Sequence, residues 1–308
     1  MKKVMYYMAV SAIILFSGTL AGCSDDNEVS FVPDDVEDVI EGPSSSDVLV
    51  LPTGAAFLGD SIQQIKTFSL SDNKIKLVTV STTQNGHISV LGGYKDQSAV
   101  YIYAKPDDDD NYRLSDEQIK NILEKYYVVE SYVNDTEIVA NIMEKDGIAH
   151  GADYHKLRIS IKLFTPQNIS TKLSIGRGSI IAKNVCGNQH TASSISGTIK
   201  YIDSFGKNFA LTSETGYIGI INTPASQSIE ARLAKGNILF SLPQSTKATL
   251  SLSSSSNVNA HILNSSNFKG TNIRTKVEGA LNGGGYKISA NSGLGVINLK
   301  WYQNNQND

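Results

Sequence analysis

A Gly-x-Ile unit returns along the second half of this chain at a nearly constant interval. It occurs as Gly178-Ser179-Ile180, Gly197-Thr198-Ile199, Gly216-Tyr217-Ile218 and Gly236-Asn237-Ile238, spaced 19, 19 and 20 residues apart. Around each unit apolar residues alternate with small or polar ones, as in Thr198-Ile199-Lys200-Tyr201-Ile202 and Asn237-Ile238-Leu239-Phe240. Alternation of this kind marks a half-buried strand. A glycine ahead of it marks a corner where a side chain would clash or φ must be positive. Strands returning at about 20 residues predict a β-solenoid over residues 166–302, each repeat one coil laid on its neighbour. The competing architecture is a β-sandwich, whose strands return about every 8–12 residues. Gly178, Gly197, Gly216 and Gly236 are the expected structural corners.

The series becomes less regular beyond Leu242. Thr249-Leu250-Ser251-Leu252 and Val258-Asn259-Ala260-His261-Ile262 alternate, Asn282-Gly283-Gly284-Gly285 is a sharp corner, and Gly295 to Leu299 precedes a polar tail over 303–308. No Gly-x-Ile falls between Ser241 and Lys269, which leaves the number of coils open. The serines Ser253 to Ser256 fit a stacked polar ladder or a surface loop equally well. Residues 47–165 form a separate β-rich part with one helix. Strands are expected at 72–80, 86–90, 99–104, 137–143 and 156–164. The helix begins at Ser115, which with Gln118 makes a capping box; Asp116 and Glu117 suit its first turn, and Ile119, Ile122, Leu123 and Tyr126 make one apolar face. With 308 residues, 40% of them hydrophobic, the chain can bury a real core, and disorder is excluded for its bulk. Two cysteines exclude a disulfide scaffold.

The first residues speak to compartment. Lys2 and Lys3 precede an apolar run from Ala9 to Leu20, and Leu20-Ala21-Gly22 leads into Cys23. The run is shorter than the roughly 20 residues that a membrane-spanning helix needs. Residues 1–22 therefore read as a lipoprotein signal peptide. Cys23 reads as the lipidated (palmitate-type) first residue of the mature chain, its partner the membrane. Each buried methylene contributes about 0.8 kcal/mol, so several acyl chains on one residue anchor stably. Residues 23–46 read as an acidic, self-repelling tether. The opening Ser24-Asp25-Asp26 resembles the surface-export signal of Bacteroidetes lipoproteins, which implies an outer-membrane anchor with the chain on the cell surface. A plain linker in the periplasm is the alternative.

Charge is divided unevenly. Residues 24–168 hold 12 basic and 25 acidic residues, whereas 169–308 hold 13 basic and 5 acidic. A basic C-terminal half suits acidic glycans or lipopolysaccharide phosphates; scattered lysines such as Lys172, Lys183, Lys200, Lys207 and Lys247 also serve to keep a β-rich surface soluble. Nucleic acid is not expected as a partner, because no aromatic-basic cluster occurs.

Taken together, Asn85-Gly86-His87-Ile88-Ser89-Val90, Leu114-Ser115-Asp116-Glu117-Gln118-Ile119, Gly236 to Pro243 and Leu281-Asn282-Gly283-Gly284-Gly285 resemble the DUF4097 or putative-adhesin β-strand-repeat family of Bacteroidetes lipoproteins. The resemblance spans about residues 60–300. It implies a mainly β fold, a right-handed β-helix-like solenoid, and an adhesive cell-surface role, with no catalytic residues to carry over. Asp60-Ser61-Ile62 also resembles the Bacteroidetes O-glycosylation pattern.

Chemistry is sparse. The run Asp107 to Asp110 lacks the ligand spacing and turn glycine of a calcium loop. His150, Asp153 and His155 are spaced too closely to converge on a metal. Cys186 and His190 could form a thiol pair, but nothing orients the His, which leaves a buried or idle thiol. Gly283 to Gly285 has no Lys-Ser or Lys-Thr behind it to cradle phosphate. Among acids within the repeats, Asp203 and Glu214 lie eleven residues apart, adjacency being open but unforced. No catalytic residue, cofactor or metal is expected. The expected protein is a non-enzymatic, lipid-anchored adhesin or scaffold that binds a glycan or surface polymer along an extended face. The alternatives are a β-helix enzyme acting on acidic polysaccharide and a fimbrial subunit pairing through a free strand edge. Oligomeric state stays open.

Overall fold

A computed structural model describes residues 57, 59–69, 75–94, 97–107, 113–151 and 153–303. The signal peptide, Cys23, the acidic tether, Asp108 to Asp110 and residues 304–308 lie outside the described residues.

Among the described residues the chain is mainly β, with one helix. Strands β7 (Ser170–Lys183), β8 (Cys186–Ile202), β9 (Phe205–Ile221) and β10 (Ala225–Leu242) follow one another and pair in parallel, in register, with each repeat's glycine opposite the next. Each bends at its glycine into two legs. Gly178, Gly197, Gly216 and Gly236 have φ between 123 and 133°. A Cβ on any of them would sit 1.8–1.9 Å from the carbonyl oxygen of the glycine one rung earlier. Both expected reasons for a corner glycine therefore hold together.

The column extends beyond the recognised repeats. In β2 (Leu77–Gly92), Gly86 pairs with Gly178, and a Cβ on Gly295 would lie 1.8 Å from the Gly236 oxygen. The two expected strands at 72–80 and 86–90 are thus one long strand. Inward residues stack as a ladder: Ile161, Ile88, Ile180, Ile199, Ile218, Ile238, Ile297 and Val258 pair in succession, all buried. Full burial of each is worth about 1.5–3 kcal/mol, which makes this ladder a major part of the core.

At both ends, spatial order departs from chain order. β5 (Glu137–Glu144) pairs with the first leg of β2 and β6 (Leu157–Thr165) with its second, so together they form the rung outside β2. At the other end β11 (Ala248–Ser254) and β12 (Asn257–Asn259) leave a gap. The later β15 (Tyr286–Leu294) and β16 (Val296–Trp301) fill it, pairing with β10 on one side and with β11 and β12 on the other. This accounts for the missing Gly-x-Ile. The β11–β12 corner is made by serines, and Ser254 Oγ donates to the Gly295 carbonyl at 2.6 Å. The serine run is a corner, and the strand expected over Val258 to Ile262 stops at Asn259, where a turn bonds Leu263 N to Ala260 O.

Antiparallel strands finish each end. β4 (Tyr127–Asn134) pairs with β5, and β3 (Gln97–Pro106) with β6, followed by β1 (Ser61–Ser69); β14 (Lys276–Leu281) pairs with β11, followed by β13 (Phe268–Ile273). The sheet is open, its path running from β1 to β13. The helix α1 (Asp116–Tyr126) has the expected capping box, with Gln118 N donating to Ser115 Oγ at 3.3 Å and Ser115 N to Gln118 Oε1 at 2.8 Å. Its buried residues are Ile119, Ile122, Leu123 and Tyr126.

A Gly216→Ala substitution combines a strained φ with backbone overlap and should destabilise by about 3 kcal/mol or more. Gly147→Ala, with φ of 74° but open space around its Cβ, should cost only about 1 kcal/mol. Denaturant midpoints of the two variants separate the overlap from the dihedral; equal losses would show that the close rung contact is not what requires glycine.

Candidate binding face

The outward residues of the first legs include one continuous polar row. It runs Asn141, Ser81, Ser174, Ser193, Thr212, Arg232, Asn291 and Ser253, each pairing in register with the next. Neighbours in the row bond to each other: Ser81 Oγ donates to Asn141 Oδ1 at 2.9 Å, Ser193 Oγ to Ser174 Oγ at 3.1 Å, and Asn291 Nδ2 to Ser253 Oγ at 2.9 Å. Parallel pairing repeats these donors and acceptors every 4.7–4.9 Å or so, as in any sheet. The product is a long, shallow array of hydroxyls and amides with little net charge, since Arg232 pairs with Glu230. The second legs present Ser179, Thr198, Tyr217 and Asn237 in another row. Tyr217 lies over Gly219, where a Cβ would meet its ring at 2.9 Å, and the Lys200 ammonium is 5.9 Å from the ring centroid. Burial pushes the Tyr217 hydroxyl up to about 12.

The second corner of each repeat carries a column that sequence reading missed. Asn184, Asp203 and Asn222 follow β7, β8 and β9 with φ of 56, 48 and 45°. Asn and Asp tolerate this left-handed region, and they recur at the same 19-residue interval as the glycines, which is the signal that would have found them. Asn222 Nδ2 donates to Asp203 Oδ1 at 2.8 Å. Burial raises the Asp203 carboxyl above its ordinary range, partly offset by Asn222 and Lys183, and its Oδ2 is buried without a partner. Asp203 and Glu214 stand at the two ends of the first leg of β9, so they do not form a carboxylate pair across one bond.

His190 is a core residue, and its surroundings correct the expectation that nothing orients it. It stacks on Phe209 with centroids 4.6 Å apart, while Nδ1 is 3.0 Å from Thr171 Oγ1 and Nε2 is 3.0 Å from Phe205 O. Thr171 Oγ1 in turn lies 2.7 Å from the Tyr201 hydroxyl. Nε2 also accepts from the Gly187 N–H at 3.2 Å; a proton on Nε2 serves Phe205 O, whereas a proton on Nδ1 serves Thr171 and leaves Nε2 to Gly187. Burial pushes His190 down to about 4. Cys186 stands at the start of β8, half-buried and paired in register with Phe205.

The remaining candidates serve the fold. Asp153 accepts from Lys125 Nζ at 2.7 Å and from Tyr126 OH at 2.7 Å; the Lys125 bond, then the Tyr126 bond, hold its carboxyl down at about 2. His150 Nε2 lies 2.6 Å from Glu144 Oε1 and its ring stacks on Tyr154. His150 and Asp153 thus face different partners. Among the described residues no group of three or more His, Cys, Asp or Glu could hold a metal ion. Asp60 is buried, bonded by Arg158 at 2.8 Å and Ser160 Oγ at 2.7 Å, so the acid of the glycosylation-like triplet ties the start of β1 to β6. Among the described residues no helix is long and apolar enough to cross a membrane.

No protein-family model matches the chain, and no curated protein matches it. Solved structures similar to it include a "putative cell adhesion protein" from Clostridium sporogenes, with 12% identity over 77% of this chain and 98% of that one, TM-score 0.46. Another is a "putative adhesin" from Bacteroides fragilis, with 12% identity over 77% and 97%, TM-score 0.30. A third is a "putative lipid binding protein" from Parabacteroides distasonis, with 14% identity over 79% and 97%, TM-score 0.26.

Two pH effects follow from the buried groups. The unfolded chain takes up a proton at His190 below about 6.5, and the folded chain only near 4. Stability from this residue is therefore complete above about 6.5 and falls by about 3 kcal/mol as pH drops to 4. Unfolding free energies of wild type and His190→Leu should converge by that amount over this window; parallel curves would refute the buried neutral ring. Asp203→Asn completes the asparagine column and removes a half-buried charge. It should stabilise at neutral pH by on the order of 1 kcal/mol, with the gain vanishing in acid as the wild-type carboxyl protonates, as thermal melts across pH would show.

Proposed function

We propose that this protein is a lipid-anchored, surface-exposed envelope protein that acts as an adhesin or scaffold. Its repeats form a right-handed β-solenoid of about 20-residue coils, and its partner is a hydroxyl-rich glycan or surface polymer. The observation that carries the reading is the register-matched row from Asn141 to Ser253. It offers alternating donors and acceptors along eight rungs. Such an array suits many weak contacts to a repeating chain, where avidity replaces a deep pocket. Parallel in-register pairing of consecutive segments joined by two or three residues supports a coil-on-coil arrangement. Enzymatic cleavage of an acidic polysaccharide is less well supported, since Asp203 and Glu214 are held at opposite ends of one leg. The anchor rests on Leu20-Ala21-Gly22-Cys23 and the surface location on Ser24-Asp25-Asp26.

Protease shaving of intact cells should remove the protein, and a glycan array should then identify the polymer. On that ligand Ser193→Ala alone should weaken binding less than about twofold, while Ser174, Ser193, Thr212 and Asn291 changed together to alanine should weaken it about tenfold or more. Protection from protease until lysis would overturn the surface reading. A single carboxylate substitution that abolishes turnover of a polysaccharide would overturn the non-enzymatic one. Metabolic labelling with an alkyne fatty acid, lost in Cys23→Ala, tests the anchor. A lipid thioether on Cys23 and a disulfide between the chain's two cysteines are mutually exclusive, so unlabelled, disulfide-linked Cys23 would refute it.

A further inference from the structure

Among the described residues the layer made by the first legs has two edges. It runs from β4 through β5, β2, β7, β8, β9, β10, β15, β11 and β14 to β13. Edge strands are ordinarily blunted by charge, proline or cover, because their unpaired N–H and C=O groups recruit other strands. These two edges instead carry exposed apolar side chains: Val128, Tyr132 and Val133 on β4, and Ile273 on β13. Their charges are opposite. The β4–β5 hairpin holds Glu130, Asp135, Glu137 and Glu144 with no lysine or arginine, whereas the β13–β14 hairpin holds Lys269, Arg274 and Lys276 against Glu278.

Direction matches too. The repeats, β5, β2 and β11 all run in parallel; β4 opposes them and β13 runs with them. In two copies related by translation along the stack, β13 of one therefore meets β4 of the next antiparallel. We propose that a second copy of this chain docks in this way, β13 on β4, so that the first-leg layer continues head to tail from molecule to molecule. The contact is heterologous and leaves a free edge at each end, so it propagates as an open chain. Lys66 Nζ already donates to the outward Ser131 carbonyl of β4, so the incoming strand displaces one lysine contact. The proposal names the edges for the fimbrial alternative and does not rest on the polar face, so either can fail alone.

The test is sedimentation velocity of the full chain in mild detergent over a concentration series at low and high salt. Wild type should associate into species larger than dimers, more weakly at high salt. Val133→Lys on β4 and Ile273→Lys on β13 should each weaken self-association about tenfold or more, with far-UV spectra and melting unchanged. Each variant keeps one intact edge, so an equimolar mixture should form a one-to-one dimer and stop. Tyr132→Lys and Thr271→Lys repeat the test should either first variant misfold. A wild type monomeric at every concentration and salt, a variant that associates as wild type does, or a mixture that fails to pair would each overturn the proposal.

Discussion

Successive rungs approach so closely at one corner that the carbonyl of one glycine occupies the space where the next would carry a Cβ. That contact runs from Gly86 through Gly178, Gly197, Gly216 and Gly236 to Gly295, and everything else in the stack is registered to it. Because side chains alternate with period two, a slip of one residue would turn the isoleucine ladder outward and the serine row inward. The glycine column therefore sets which face is core and which is available to a partner.

The second corner does the complementary job with different chemistry. There the left-handed residues are Asn184, Asp203 and Asn222, which bring side-chain amides that bond between rungs, as from Asn222 to Asp203. Asp203 breaks the pattern by burying a carboxyl, as does His190 by placing a neutral imidazole among Phe209, Thr171 and Tyr201. Polar groups inside an otherwise apolar ladder fix which rung lies beside which, since only the native neighbour satisfies them.

Much of this was legible in the residues. The 19-residue interval, the glycine corners and the capping box at Ser115 are local patterns, and each has a physical reading that needs no partner strand. The polar face was legible only as composition, because a row such as Ser174, Ser193, Thr212 and Asn291 exists only once register is set. His190 was misread for the same reason: its orienting groups, Thr171 and the Phe205 carbonyl, belong to the preceding and the following rungs.

Where consecutive segments pair, spacing alone determines the neighbour, and the sequence by itself determined the stack from β7 to β10. At the ends the neighbours are not consecutive. That β5 and β6 lie outside β2, and that β15 and β16 slot between β10 and the earlier β11 and β12, was decided by tertiary structure alone. Closing long loops costs entropy that only a complementary face can offset, and that complementarity has no period to read. The same non-local pairing leaves β4 and β13 as opposite edges of one layer, a relation between segments that no local pattern along the chain expresses.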